Sequence, residues 1–211
     1  MLHDRVDAGK KLASLLMKYK GEDCIVLAIP RGGVVVADEI CSTLGFKMGL
    51  LINKKISAPY EDELSIGCVA EDGTTVLDER MISELRIPKD YIEKNREEKL
   101  KEIRRRSKIY MEDRLEEDVK GKTVIIVDDG MATGLSMLCA IRYITKKGPA
   151  KIVIAAGVAQ KDSIESLKKE ADDVIAAEIP ETLYAIGEFY ENFEQSEDQQ
   201  VIKILDKYAK K

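Results

Sequence analysis

The stretch VIIVDDGMATG, residues 124–134, combines the residue types that a ligand with both a phosphate and hydroxyl groups requires. Its branched apolar residues end on the adjacent carboxylates Asp128 and Asp129, and small residues and a hydroxyl follow up to Gly134. A strand, a glycine-rich turn and a helix point backbone N–H groups and a positive helix dipole at one place. That place suits a phosphate, and the Thr133 hydroxyl can cap the helix or contact the same phosphate.

The two carboxylates would repel a bare phosphate, so we expect Asp128 and Asp129 to face hydroxyl groups or a divalent cation. A sugar phosphate offers the phosphate for the loop and the hydroxyls for the acids. Paired aspartates at a strand end also form the metal pockets of receiver domains and phosphatases. Those proteins lack a following Thr-Gly loop at this spacing, so a sugar phosphate is the preferred interpretation.

Continuous apolar runs that alternate with helical patterns predict a doubly wound, mainly parallel α/β fold. The runs CIVLAI, KMGLLI, TVIIVD, KIVIAAGV and DVIAAEI lack polar alternation, as expected for strands covered on both faces. Helical patterns lie at about residues 4–19, 34–44, 134–147 and 161–171. In such a sheet, ligands bind beyond the carboxyl ends of the strands, where the acid pair lies. The segments GCVA and TTVL predict a short β-hairpin.

Residues 79–120 interrupt this alternation because they are dense in charges of both signs. Their thin apolar seam, which includes Leu100, Ile103 and Tyr110, predicts a solvated helix in preference to a nucleic-acid arm. A lid or a dimer arm is also compatible with an inserted helix. No linker rich in glycine, proline or serine separates the segment, so one domain over residues 1–211 is predicted.

Composition excludes several classes of function. A net charge of -5 argues against a nucleic-acid partner held by bulk charge. The amino-terminal stretch is charged and no apolar run approaches the roughly 20 residues of a membrane span, so a cytoplasmic protein without a membrane partner is expected. The 4 cysteines are scattered without metal-ligand spacing and are predicted to be buried thiols. His3, near the amino terminus, is assigned no role.

The stretch VIIVDDGMATG resembles the phosphoribosyl pyrophosphate (PRPP) signature of the type I phosphoribosyltransferases. An apolar strand, two acidic residues and a small-residue loop that ends in Thr-Gly all match that signature. The resemblance implies that Asp128 and Asp129 bind the ribose 2′ and 3′ hydroxyls and a Mg²⁺ ion. It further implies that the 5′-phosphate is cradled by Gly130, Met131, Ala132, Thr133 and Gly134.

Two further stretches resemble the pyrophosphate side of the same family. In LAIPRGGVVVADEI, Arg31 would donate to a diphosphate while Gly32 and Gly33 open amide groups before a helix. The resemblance also places a non-proline cis peptide near Arg31. In LLINKKISAPYEDELSIG, the pair Lys54 and Lys55 suits a departing pyrophosphate, although a solvated pair is equally compatible. The following segment, residues 57–65, occupies the place of the family's flexible catalytic loop.

The carboxyl-terminal stretch EIPETLYAIGEFYENF, within a hood at about residues 178–196, resembles the hood of the 6-oxopurine members. Tyr184 would then stack on a base, and Glu191 would lie toward the metal, directly or through water. Aromatic residues here are also compatible with ordinary hood core. The loop position at which 6-oxopurine enzymes carry an acidic base is Ala132, which argues against hypoxanthine or guanine. Adenine-type and orotate-type relatives carry no acid at that position.

The resemblance implies a Mg²⁺-dependent enzyme that transfers ribose 5-phosphate from PRPP to a purine-like or other nitrogenous base and releases pyrophosphate. Asp128, Asp129 and Arg31 are its expected catalytic residues. The alternative is a non-catalytic regulator that binds PRPP or a nucleotide. The sequence is compatible with a homo-oligomer.

Overall fold

The computed structural model describes residues 1–111 and 118–209, without the side chains at positions 62, 63 and 111. The strands are β1 (Cys24–Ala28), β2 (Lys47–Leu50), β3 (Asn53–Ala58), β4 (Glu61–Ala70), β5 (Thr75–Leu77), β6 (Thr123–Met131), β7 (Lys151–Ala159) and β8 (Asp173–Glu178). The helices are α1 (Arg5–Leu15), α2 (Gly32–Leu44), α3 (Glu79–Glu84), α4 (Lys89–Met111), α5 (Leu135–Thr145), α6 (Lys161–Leu167) and α7 (Asp198–Asp206).

The central sheet is five-stranded and parallel, in the order β2-β1-β6-β7-β8, which confirms the predicted α/β class. Successive residues of β6 enter different apolar clusters. Ile125 and Val127 pack with α1 and α2, and Val124 and Ile126 pack with α5 and α6. Because both faces are covered, each strand reads as an unbroken apolar run in the sequence.

The order in which strands are added to the sheet changes side between β1 and β6, although the two strands run parallel. From β1 the chain crosses through α2 to β2 on one side, and β6 lies on the other side of β1. At the end of β1, Ala28 pairs with Val127 and the Ile29 amide donates to the Val127 carbonyl at 2.9 Å, while β6 continues to Met131. A crevice at such a switch point is the preferred ligand site of open α/β sheets.

A second, antiparallel sheet, β3-β4-β5, corrects part of the sequence interpretation. The predicted hairpin is present as β4 and β5. However, residues 57–65, predicted as a loop, are largely strand, because β3 and β4 pair antiparallel around a short turn at Pro59 and Tyr60. Lys54 and Lys55 therefore lie inside β3 and not at the end of β2. The buried side chains of Ile56 and Ile66 stabilise this hairpin by joining the apolar core.

The charged segment forms α3 and α4 within its described part, while residues 112–117 of the predicted insertion lie outside the described residues. Helix α4 packs along β3 and β4, and Ile103 and Tyr110 are fully buried. The thin apolar seam thus fixes this helix to the small sheet. None of the described helices is long and apolar enough to cross a membrane.

The close contact between α2 and β6 generates a prediction. A Cβ at Gly33 would lie 2.6 Å from the Val127 carbonyl oxygen and 2.9 Å from the Asp128 Cα. Gly33→Ala is expected to lower the free energy of unfolding by about 1–3 kcal/mol, because the backbones must separate. Thr43→Ala, on the exposed side of the same helix, is the control and is expected to change it by less than about 0.5 kcal/mol in urea titrations. Equal stabilities of both variants would contradict the packing described.

Candidate active site

The acid pair lies at the switch point, in the last residues of β6. The Asp129 amide donates to Asp128 Oδ1 at 2.8 Å, so one acid of the pair is held by the backbone of the other. Burial, and then the neighbouring Asp129 carboxylate, raise the pKa of Asp128 well above its usual value. The site therefore contains a carboxyl group whose ionisation is unfavourable until a cation or donor approaches.

Arg5, at the start of α1, is the cation that the sequence interpretation missed. Its Nε donates to Asp129 Oδ2 at 2.7 Å, and the two side chains are only 12% and 14% exposed. The guanidinium carbon lies 3.9 Å from the centre of the Phe193 ring, and a second nitrogen donates to the Glu194 carbonyl at 2.7 Å. Arg5 therefore ties the acid pair to both α1 and the hood.

Two backbone positions next to Asp129 and its partners have no space for a side chain. A Cβ at Gly32 would lie 1.9 Å from Asp129 Oδ2, and one at Gly157 would lie 2.1 Å from the Tyr190 hydroxyl oxygen. That hydroxyl donates to the Asp129 carbonyl at 2.6 Å, and burial raises the pKa of Tyr190 so that it stays a donor. The glycines of α2 and β7 are thus required by the contacts around Asp129.

The predicted phosphate loop is shorter in the structure than in the sequence interpretation. Gly130 and Met131 belong to β6, where they pair with β7, and the Met131 side chain is buried. The connection to α5 consists of Ala132, Thr133 and Gly134, and Gly134 has a φ of +76° at the helix N-cap. The Leu135 amide donates a long hydrogen bond of 3.5 Å to the Thr133 hydroxyl, and the first N–H groups of a helix have no partner inside it, so this helix end can accept an anion.

Two side chains outside the motif hold this loop. The Ser163 hydroxyl, on α6, donates to the Ala132 carbonyl. The buried side chain of Asn53, on β3, donates to the Ser136 carbonyl at 2.9 Å in the first turn of α5. Neither residue was found from the sequence, because each contact joins distant parts of the chain. The small sheet is thereby connected to the loop that faces the acid pair.

Arg31 begins the second loop of the site. The Pro30–Arg31 peptide is cis, as the resemblance implied, and Arg31 is the N-cap of α2. Its guanidinium is 28% exposed and lies 3.8 Å from an Asp198 oxygen. The structure brings Arg31 and the acid pair together in one cleft, whose described lining comprises Arg5, Pro30, Arg31, Gly32, Asp128, Asp129, Phe193, Gln195 and Ser196. The loop at residues 132–134 follows the acid pair at the end of β6 and is not part of this described lining.

The two lysines of β3 face different ways. Lys54 Nζ lies 2.7 Å from Glu102 of α4, and burial lowers the pKa of this lysine. Lys55 is exposed and shares the strand face of Asn53, which contacts α5. The charge of Lys55 lowers the pKa of Asp128, although less than burial raises it. Lys55 therefore lies close enough to Asp128 for their charges to interact, while Lys54 belongs to the packing of α4.

The described hydrogen bonds and ion pairs do not join the hood residues predicted from the sequence to the acid pair. Tyr184 is 86% exposed, and Glu191 accepts a hydrogen bond from His3 Nδ1 at 2.8 Å. The described residues contain no group of three or more His, Cys, Asp and Glu side chains that could hold a metal. Ile186 of the hood packs against Gly130, because a Cβ at Gly130 would lie 2.3 Å from the Ile186 side chain. The base-binding and metal-binding roles of Tyr184 and Glu191 stay predictions.

The buried ion pair predicts a strong coupling between its members. Arg5→Gln is expected to lower the free energy of unfolding by about 3 kcal/mol, because the Asp129 carboxylate loses its charged partner while still buried. In an Asp129→Asn background the same substitution should cost much less. Urea unfolding of the four proteins in this cycle measures the coupling. An equal cost of Arg5→Gln in both backgrounds would contradict the interaction.

The raised pKa of Asp128 predicts a stability that depends on pH. At a pH below about 3.9, an aspartate is protonated in the unfolded chain and Asp128 is protonated in the folded one, so ionisation costs nothing. As the pH rises, the unfolded chain releases this proton more readily than the folded chain. Asp128→Asn should therefore raise the melting temperature, and the gain should grow from pH 4 to pH 8 in thermal scans. A gain that shrinks with rising pH would show that the folded protein favours the ionised acid.

Comparisons with known proteins agree with this geometry. A family model of the phosphoribosyl transferase domain matches residues 2–191. The chain is 31% identical over 207 residues, or 98% of its length, to Rv0571c of Mycobacterium tuberculosis, which is named provisionally as a phosphoribosyl transferase. The chain spans about half of that relative, 47% of its length.

Solved structures share the architecture. The crystal structure of TT1426 from Thermus thermophilus is 35% identical, with a TM-score of 0.81 over 99% of both chains. The structure of AQ2163 from Aquifex aeolicus is 15% identical, with a TM-score of 0.52 over 87% of this chain and 78% of that one, and shows likeness of fold alone. Since the family model spans nearly the whole chain and the acid pair and both loops meet at the switch point, the chain belongs to the phosphoribosyltransferase family.

Proposed function

We propose that this protein transfers ribose 5-phosphate from PRPP to a nitrogenous base and releases pyrophosphate. One observation carries the proposal. The cleft at the switch point is bordered by Asp128, Asp129 and the helix N-terminus that follows Arg31, and β6, which carries both acids, continues into the loop and helix N-terminus at Gly134. PRPP has a phosphate at one end, a diphosphate at the other and two hydroxyls between, so its groups match the order of these elements.

The ribose 5-phosphate part would occupy the β6 side of the cleft. The 5′-phosphate would accept hydrogen bonds from the loop Ala132, Thr133 and Gly134 and from the first turn of α5. The carboxylates of Asp128 and Asp129 would accept hydrogen bonds from the ribose hydroxyls. Arg5 occupies Oδ2 of Asp129 at 2.7 Å, which leaves the other oxygen for the ligand. Arg5 thus fixes the direction in which Asp129 can accept.

The diphosphate would occupy the α2 side. The guanidinium of Arg31 has several N–H donors arranged to bind phosphate oxygens. The amide groups of Gly32 and Gly33 begin α2, and the positive end of its dipole lies at the cleft. Lys55 would approach from β3, while Lys54 is already paired with Glu102. These groups would stabilise the negative charge that grows on the leaving diphosphate.

The donor set fits a Mg²⁺ ion that arrives with the substrate. Mg²⁺ is commonly bound by one or two carboxylates together with substrate phosphates, and Asp128 and Asp129 are hard oxygen ligands at the cleft. The raised pKa of Asp128 and the lack of a third acidic ligand among the described residues argue against a permanent protein site. Bound Mg²⁺ would supply positive charge that balances the diphosphate.

The chain's own residues would act by positioning and charge. Bond breakage at C1 of the ribose develops positive charge on the sugar ring, and the two carboxylates lie where that charge would be stabilised. Binding both phosphates at helix N-termini fixes C1 for attack by a ring nitrogen. The hairpin of β3 and β4, which contacts the first turn of α5 through Asn53 and exposes Tyr60 at its turn, would limit access of water to the activated sugar.

The residue at position 132 favours a base that needs no acidic partner from the loop. Ala132 carries no proton acceptor, and its carbonyl already accepts from Ser163. Hypoxanthine and guanine must release a ring proton, so we propose that they react poorly. Tyr184, being 86% exposed, has a free ring face on which a planar base could stack.

The activity is tested by measuring pyrophosphate release from PRPP in the presence of Mg²⁺ and a panel that includes adenine, guanine, hypoxanthine and orotate. We expect release that depends on one of the bases and is absent in the Asp128→Asn, Asp129→Asn double variant. If PRPP binds tightly and no base supports release, the protein is a PRPP-binding regulator. If PRPP neither binds nor reacts, both functions are wrong.

The side chains of Lys55 and Lys54 lie on opposite faces of β3, so their removal is expected to change the kinetics with PRPP differently. Lys55→Ala is expected to raise KM for PRPP roughly tenfold, since a charge-assisted hydrogen bond is worth about 1.5 kcal/mol or more. Lys54→Ala is the matched control: it should leave KM within about twofold and lower the melting temperature, because Glu102 loses the nearest of its basic partners. Steady-state kinetics of both variants decide the matter. A larger change in KM for Lys54→Ala than for Lys55→Ala would overturn the assignment.

A further inference from the structure

The family match ends at residue 191. The chain that follows forms a strap along the side of the cleft that we propose binds the diphosphate. We use C-terminal strap for residues 192–208, which include α7. The strap is attached to α2 by the buried side chains of Val201 and Ile204 and by two hydrogen bonds to the Asp38 carboxylate. Lys207 Nζ and the Tyr208 hydroxyl reach the Asp38 carboxylate at 2.5 Å and 2.8 Å. The strap is therefore a packed part of the fold.

The strap contributes residues to the cleft. Gln195 and Ser196 line the same opening as Arg31 and the acid pair, and Ser196 is buried. The guanidinium of Arg31 lies 3.8 Å from Asp198, in the first turn of α7. A segment beyond the matched domain thus borders the arginine to which the proposed function gives the diphosphate.

Asp198 is itself held in place from a third part of the chain. The Tyr110 hydroxyl, on α4, donates to Asp198 Oδ1 at 2.5 Å, and burial together with this bond raises the pKa of Tyr110 to about 12. The positive end of the α7 dipole also favours a carboxylate at this position. The Asp198 carboxylate is therefore a fixed charge, oriented by α4 and α7.

The geometry of the Arg31 contact leaves the arginine available to a ligand. A separation of 3.8 Å is an ion pair and not a direct hydrogen bond, so the N–H donors of Arg31 are not consumed by Asp198. Among the side chains that the structure describes, no other acidic group lies within 4.0 Å of the Arg31 guanidinium. The carboxylate restricts the arginine to the cleft edge without occupying its fork.

We infer that Asp198, oriented by Tyr110, is a positioning residue that holds Arg31 ready for the diphosphate of the substrate; this rests on the proposed function. A long, flexible arginine loses rotamer freedom when it binds an anion. A fixed neighbouring charge removes part of that freedom before binding and so increases affinity for the diphosphate. The effect is confined to ligands that Arg31 contacts, so ribose 5-phosphate binding is unaffected.

The test compares two ligands on matched variants by calorimetry with Mg²⁺ present. Asp198→Asn is expected to weaken pyrophosphate binding about tenfold and to leave ribose 5-phosphate binding within about twofold. Glu197→Gln removes the same charge from the adjacent, exposed residue, whose side chain makes no cap bond, and should change neither affinity. Tyr110→Phe should weaken pyrophosphate binding less, about threefold, because the α7 dipole still orients Asp198.

Each outcome separates the positioning role from its alternatives. Tighter pyrophosphate binding by Asp198→Asn would make Asp198 a competing anion and would overturn the inference. Equal losses for both ligands would indicate a purely structural role and would also overturn it. If the wild-type protein binds both ligands and Asp198→Asn is unchanged, the inference alone fails. If the wild-type protein binds neither ligand, the proposed function fails and the inference fails with it.

Discussion

The arrangement of this site depends on the buried ion pair between Arg5 and Asp129. Its Nε to Oδ2 separation of 2.7 Å joins the first helix to the end of the central strand, and Phe193 of the hood stacks on the guanidinium. A buried carboxylate without a partner is costly, so the fold must bring Arg5 to this place. The absence of a side chain at Gly32 follows, because any Cβ there would overlap Asp129.

The rest of the site lies at the carboxyl ends of the parallel strands, next to this ion pair. β1 delivers the Arg31 loop and β6 delivers the acid pair, with the two strands in register up to Val127. The small sheet contributes Asn53, which holds the first turn of α5, and Lys55, whose charge acts on Asp128. Asp198 approaches the second loop from the C-terminal strap. Positive and negative groups thus alternate around one crevice, as a ligand with separated phosphates and hydroxyls requires.

The central sheet could be predicted from the sequence because both of its faces are covered. Unbroken runs such as Val124 to Val127 follow directly from that burial. The acid pair and Arg31 were also recognisable, since their neighbours in sequence are their neighbours in the site. The two loops therefore carried most of the recoverable information about function.

The contacts that the sequence could not reveal join residues far apart in the chain. Arg5 and Asp129 are separated by 124 positions, and no local pattern marks such a pair. Residues 57–65 were predicted as a loop because the family resemblance places a flexible catalytic loop there. Pairing between β3 and β4 and packing of Ile56 against the core make this segment largely strand, and both contacts depend on the tertiary structure. The same limit applies to Asp198, whose partners lie on α2 and α4.

The central claim is that Asp128 and Asp129 form the ribose-binding part of a PRPP site, and its most direct test is a calorimetric titration of PRPP with Mg²⁺. The wild-type protein is predicted to bind one PRPP per chain. The Asp128→Asn, Asp129→Asn double variant, confirmed as folded by circular dichroism, is predicted to give no binding heat. Equal affinities of the folded double variant and the wild-type protein would contradict the account.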